Sequence, residues 1–183
     1  MEWITSDPHF WHKNVIKHCN RPFLCEKDLA VFERNGTWEN VVDEYGEPYR
    51  ISDASICMMN DHLVDKINQY VKPNHTLRVL GDFCYGVKNQ FPYVRDILDR
   101  INCKNIHLIY GNHDDRTIGE LFKTAKDIDL IKYNGTQFTL CHYAMLTWPG
   151  SHRGSFHLFG HSHGQLIHPS KKAFDVGVDN IYK

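Results

Sequence analysis

The stretch Ile106-His107-Leu108-Ile109-Tyr110-Gly111-Asn112-His113-Asp114 sets the reading of the whole chain. An apolar run of strand length stops at a glycine and hands over at once to an amide, an imidazole and a carboxylate. The same layout stands earlier in Thr76-Leu77-Arg78-Val79-Leu80-Gly81-Asp82 and later in Phe156-His157-Leu158-Phe159-Gly160-His161-Ser162-His163. It recurs in shorter form where a strand over 2–6 runs into Asp7-Pro8-His9, and where a strand over 136–142 closes on His142. In α/β sheets ligands bind beyond the carboxyl ends of strands. Separate segments thus deliver metal-competent side chains to one edge.

Helices fill the intervals. Residues 12–19 suit a short helix. From Ser52 to Val71 the apolar positions Ile56, Met59, Leu63, Ile67 and Val71 keep helical spacing, with Ser52 as N-cap. Residues 92–101 place Val94, Ile97, Leu98 and Ile101 on one face, and 117–126 reads as a further helix. Asn134-Gly135 between 128–133 and 136–142 is a strong hairpin signal. A last strand pair is expected near 165–168 and 173–178. The alternation predicts an α/β sandwich-like domain. Residues 25–53, with Asn35-Gly36, Gly46 and Pro48 amid many charges, read as a surface insertion in a single domain over 1–183.

Composition narrows the function classes. At 183 residues, with 42% hydrophobic and 23% charged, the chain is neither disordered nor in need of disulfide staples. No apolar run approaches the ~20 residues of a membrane span, and the first residues lack a signal-peptide pattern, so a cytoplasmic location is expected. A net charge of −1 argues against the broad basic face of a duplex-binding protein. The six cysteines are scattered without a C-x-x-C pair and read as reduced thiols. Histidines number 13, one more than the glycines, which points to a metal site or acid–base chemistry.

The ligand-type side chains at strand ends are Asp7, His9, Asp82, Asn112, His142, His161 and His163. They exceed the four ligands of a structural zinc site and include no thiolate. Pro8 should bias Asp7 toward an extended backbone, so that Asp7 and His9 project to one side; His161 and His163 follow the same logic. Gly81, Gly111 and Gly160 would let backbone approach the site closely. Imidazole, carboxylate and amide oxygen together suit two divalent ions held close, manganese first, with iron, zinc, nickel or magnesium also admitted. Asp82 is the natural shared carboxylate. Two divalent cations outweigh the charges of Asp7 and Asp82, so the centre should attract a phosphate.

Asp7-x-His9, Gly81-Asp82, Gly111-Asn112-His113-Asp114, His142 and Gly160-His161-x-His163 resemble the ordered blocks of the calcineurin-like metallophosphoesterases. The blocks run from residue 7 to 163, nearly the whole chain. The resemblance implies a four-layer α/β sandwich with two mixed β-sheets face to face and helices outside. It implies that Asp7, His9, Asp82 and His163 hold one metal, and Asp82, Asn112, His142 and His161 the other. His113 would protonate the leaving oxygen, with Asp114 orienting its ring, as a metal-activated water attacks phosphorus in line. Residues 25–53 depart from the small members of the family and are expected to cover or rim the pocket.

Outside these blocks, Arg21 and Arg153 are candidates to pair with substrate phosphate. Trp11 and Trp148 are candidate pocket walls, and His12 and His152 lie near the site segments. The function expected is a dinuclear phosphodiesterase on a small phosphoester or nucleotide-like substrate. A phosphomonoesterase or single-strand nuclease of the same chemistry stands beside it, as does a metal-binding interaction module without turnover. The charge does not indicate a nucleic-acid partner.

Overall fold

The apolar runs become a parallel sheet because both of its faces find cover. The computed structural model describes residues 1–181. In chain order it contains β1 (Glu2–Thr5), α1 (Lys13–His18), α2 (Glu26–Asn35), α3 (Asp53–Tyr70), β2 (Thr76–Val79), α4 (Gln90–Arg100) and β3 (Ile106–Ile109). There follow β4 (Thr124–Lys126), β5 (Ile128–Tyr133), β6 (Thr136–Cys141), β7 (Phe156–Phe159) and β8 (Ala173–Asp175). Short 3₁₀ turns occupy Arg116–Leu121, Ser151–Arg153 and Val178–Ile181.

The first sheet has the order β1-β2-β3-β4 and is parallel throughout, with Glu2 opposite Thr76, Leu77 opposite Ile106 and His107 opposite Thr124. One face carries the helices. Leu77, Val79, Ile106 and Leu108 join Ile56, Met59, Leu63, Val94 and Ile97 in the main core. Leu80, Ile109 and Leu140, with Ile4, Ile131, Phe138 and Leu158 against them, form a second core between the sheets. That cluster draws on both sheets, so they pack face to face.

The second sheet, β5-β6-β7-β8, is mixed: β5 and β6 form the antiparallel hairpin, while β6, β7 and β8 run parallel. Asn134 and Gly135 both take positive φ, 47° and 80°, as a tight two-residue hairpin turn requires. Only this sheet is mixed; the first is wholly parallel because each crossover returns over a helix or a 3₁₀ turn. The outer layer over the second sheet comes from loops carrying Trp148 and His168, not from an α-helix.

Three local expectations change. Residues 117–126 are a 3₁₀ turn followed by β4, because Ala125 completes the sheet edge beside Leu108. Residues 165–168 form no strand: β7 already has partners on both sides, and the loop is pinned by His168 Nε2 against the Met145 carbonyl at 3.0 Å. The segment 25–53 is not irregular throughout. It opens with α2, closed by left-handed Gly36, and is tied down by Asp28, which accepts from Tyr49, Ser52 and Ser55. Ser52 caps α3 as read, its hydroxyl accepting from Ser55 N–H. No helix among the described residues is long and apolar enough to cross a membrane.

Candidate metal centre

Each parallel strand ends at the same edge, and the loops leaving those ends are laced together by backbone. Asp7 N–H donates to Gly81 carbonyl at 3.1 Å and His9 N–H to Asp82 carbonyl at 3.0 Å. Ser6 pairs with Gly177, and Val178 N–H donates to Ser6 carbonyl, which joins the two sheets beside the site. Gly81 sits at φ +92°, and a side chain there would strike the His142 ring and the Gly111 backbone. Gly111 likewise packs so closely on Asp82 that a Cβ has no room.

The expected extended backbone at Asp7 is not adopted. Asp7 (φ 56°), His9 (50°), Asp82 (51°), His161 (66°) and His163 (48°) all lie in the left-handed region. For non-glycine residues this costs about 1–3 kcal/mol each and persists only where surroundings over-determine it. Here they do. Arg21 is buried, and its five N–H donors meet the Asp7 and Pro8 carbonyls at 2.7 Å, the Asp179 carboxylate at 2.7 and 2.9 Å, and Met59 sulfur. On the other side, His161 N–H donates to both Asp7 oxygens at 3.0 Å. Asp175 shapes the loop after β7 by accepting from Ser162 Oγ and Gly164 N–H, each at 2.7 Å.

The seven expected ligands come together as two neighbouring groups. Asp7, His9 and His163 offer ligand atoms within 4.8 Å of one another, and so do Asp82, His142 and His161. Asp82 Oδ2 joins the groups, 3.4 Å from His9 Nε2 and 3.5 Å from His142 Nε2. Asn112 Oδ1 lies 2.9 Å from His142 Nε2. His142 Nδ1 stands 2.8 Å from the Leu80 carbonyl, which fixes its tautomer and leaves the lone pair on Nε2. With Nδ1 so engaged, Nε2 stands beside Asn112 Oδ1 as a ligand atom that a cation between them could use. His9 makes the same point, since both its ring nitrogens are buried without a hydrogen-bond partner.

The electrostatics agree with that geometry. Burial pushes the Asp7 carboxyl up to about 7 and drives His9 down to about 2, with the neighbouring Arg21 guanidinium adding to the latter. Burial also lowers His142. His163 differs: burial pulls it down, but the Asp179 carboxylate on Nδ1 at 2.6 Å more than reverses this and lifts it to about 10. Asp179 itself is opposed by burial yet held well below the ordinary carboxylate range by His163 and Arg21. A donor set of buried carboxylate, amide oxygen and neutral imidazole fits divalent cations.

Several side chains serve otherwise than expected. Arg21 is a buried clamp with every donor engaged, so it cannot reach a substrate phosphate. Arg153 and His152 stand at the opposite end of the second sheet, lining a hollow with Gly135 and Thr136. Trp148 is buried on that sheet's outer face, its indole N–H donating to Ser155. Asp114 does not hold the His113 ring. Its oxygens accept from Gly111, Asp82 and Phe83 N–H at 2.8–2.9 Å, cinching two site loops together. The His113 backbone N–H donates to Asp82 Oδ1 at 3.0 Å, and its ring lies 3.9 Å from that of Tyr85. Asp179, Asp175 and Cys19, whose thiol lies 3.4 Å from His163 Nδ1, were missed. Asp175 closes β8 and Asp179 follows it, so the strand-end rule applied to Asp175-Val176-Gly177-Val178-Asp179 would have found them.

No family model matches the chain. The uncharacterized protein MJ1445 of Methanocaldococcus jannaschii is 29% identical over 185 residues, spanning 98% of this chain and 82% of that protein. In structure, the chain is similar to AQ665 from Aquifex aeolicus, a protein of unknown function, at TM-score 0.59 and 19% identity, covering 100% of this chain and 93% of that one. It also aligns with YfcE, a phosphoesterase from E. coli, at TM-score 0.47 and 14% identity, over 96% of this chain and 77% of the other. Two four-stranded sheets packed face to face, with aspartates and histidines gathered at one edge in the order read from the sequence, give this chain an α/β sandwich fold that it shares with AQ665.

Proposed function

We propose that the chain is a dinuclear metal-dependent phosphoester hydrolase acting on a diester of a small or nucleotide-like alcohol. The observation that carries the reading is Asp82 Oδ2, placed between His9 Nε2 at 3.4 Å and His142 Nε2 at 3.5 Å. One carboxylate oxygen that adjoins both ligand groups is what two closely spaced cations need. Asp7, His9, Asp82 and His163 would hold one ion, and Asp82, Asn112, His142 and His161 the other, with manganese the first ion to try. When bound, such ions bring the pKa of water toward neutrality and draw charge from phosphoryl oxygens.

The chain's own groups supply the rest. Asp82 Oδ1 accepts from the His113 backbone N–H, so the residue that would share the metals also anchors the loop that carries the acid. His113, held against Tyr85, gives its proton to the leaving oxygen, a task that matters most for a poor alkoxide leaving group. Arg21 and Asp179 keep Asp7 and His163 in place from beneath. The diester preference follows from charge. Neither arginine expected at the phosphate reaches it, so the site has less means to balance a monoester dianion than a diester monoanion.

The test uses purified protein stripped of metal and reloaded with Mn²⁺, comparing a bis-aryl phosphodiester with the matching monoester. Faster diester cleavage is expected. His113→Ala should lower kcat by about 10²–10⁴ on an alkyl diester, and by less on the aryl one, while metal content is unchanged. Faster monoester cleavage would make the chain a phosphatase, and bound metal with no turnover of either would make it an interaction module.

A further inference from the structure

Beside His113 the surface opens into a hollow of ≈ 680 Å³ that the hydrolytic step leaves unused. Its walls include Trp11, His12 and Lys13 ahead of and within the first turn of α1, Arg50 from the segment 25–53, Tyr85 after β2, and Tyr93 of α4. The hollow adjoins the centre: the Tyr85 ring lies tilted 3.9 Å from the His113 ring, and His12 lies 5.2 Å from His9. Trp11 meets Tyr93 edge-on at 5.3 Å, and His12 meets Tyr85 edge-on at 4.7 Å. Trp11 Nε1 and His12 Nδ1 are buried with no hydrogen-bond partner among the described residues. Lys13 is matched by Asp53 at 2.6 Å, whereas exposed Arg50 has no ion-pair partner among the described residues.

We infer that this hollow takes the base of a nucleotidyl substrate, on the side of the phosphorus whose oxygen His113 protonates. The inference rests on the phosphoesterase reading and names its substrate class. A cavity of this size suits a small molecule, and aromatic walls stack with any base because every base has a π-face. A guanidinium adds a planar donor that both stacks on a ring and bonds to its acceptor atoms. Trp11 Nε1 is a further donor without an acceptor. A plain aryl group would fill the same walls yet offer no acceptor to the Arg50 guanidinium or the Trp11 indole N–H, which favours a nucleobase. Arg50 belongs to the insertion, so this segment contributes to substrate choice.

The experiment is calorimetric titration of the Mn²⁺-loaded protein with adenosine 5′-monophosphate and, separately, with inorganic phosphate. The nucleotide should bind at least about tenfold more tightly than phosphate. Arg50→Ala and Tyr93→Ala should each weaken the nucleotide by about tenfold and leave the phosphate Kd unchanged. Arg50 is exposed, so its variant tests the hollow without disturbing the core. Equal affinity for the two probes, or variants that move both alike, would overturn the inference. The two readings fail separately: tight nucleotide binding without diester turnover supports the hollow and sinks the hydrolase, while turnover with equal probe affinities does the reverse.

Discussion

Asp28 in the segment 25–53 and Asp7 at the end of β1 are both fully buried, yet their surroundings treat them in opposite ways. Asp28 accepts from Tyr49 Oη at 2.7 Å, Ser52 N–H at 3.0 Å, Ser52 Oγ at 2.8 Å and Ser55 Oγ at 2.5 Å. Burial alone would raise its pKa, but these donors bring it below the ordinary value. Asp7 has the nearby charge of His163 and the His161 N–H, and burial still lifts it to about 7. A buried carboxylate whose lone pairs are met by the chain is a structural knot. One left short of donors beside unpartnered imidazole nitrogens has lone pairs to offer a cation, the role proposed for Asp7.

This contrast can be broken or sharpened by experiment. The largest effect is expected from Asp28→Ala, which leaves Tyr49, Ser52 and Ser55 without their acceptor. It should destabilise the protein by about 3–4 kcal/mol in denaturant unfolding. Metal-induced stabilisation should survive in that variant. If it were lost as well, the two aspartates would not be separable.

Asp7→Asn should behave in the reverse way. At metal a hundredfold above Kd the wild type gains about 2.7 kcal/mol, and the variant should gain almost none. Without metal, the variant should melt no lower than the wild type, because an amide removes a buried carboxylate that the chain supplies with few donors. A clear drop in the metal-free melting temperature would make Asp7 structural.

A smaller effect is expected in acid. The Asp28 pKa is depressed, so its stabilisation is complete above the unfolded carboxylate value of about 3.9 and fades as pH falls through the lower folded value. Asp28→Asn should therefore flatten the acid limb of a stability-versus-pH profile below about pH 4 and leave its slope near neutrality unchanged. The smallest effect belongs to Asp53→Ala. Its pair with Lys13 is exposed, and its loss should cost at most about 1 kcal/mol, with no change in metal content.

Much of this was legible in the residues themselves. Periodicity and local chemistry gave the helix over Ser52 to Val71 with its cap, the Asn134-Gly135 hairpin and most of the strands, because each is decided within a few neighbours. The seven ligand types were legible for the same reason: a strand that stops at a turn before Asp, Asn or His announces itself locally. What those residues do in space was not. Arg21 reads as a candidate partner for substrate phosphate until Asp179, 158 residues away, is seen to accept its donors. Asp114 reads as the partner of its neighbour His113 until its bonds to Asp82 and Phe83 N–H appear. The left-handed backbone at Asp7 and His9 runs against local preference and is held by contacts from Arg21, Gly81 and His161. Such choices belong to the tertiary structure because the groups that satisfy a buried donor or pay for a strained dihedral come from segments that only the completed fold brings together.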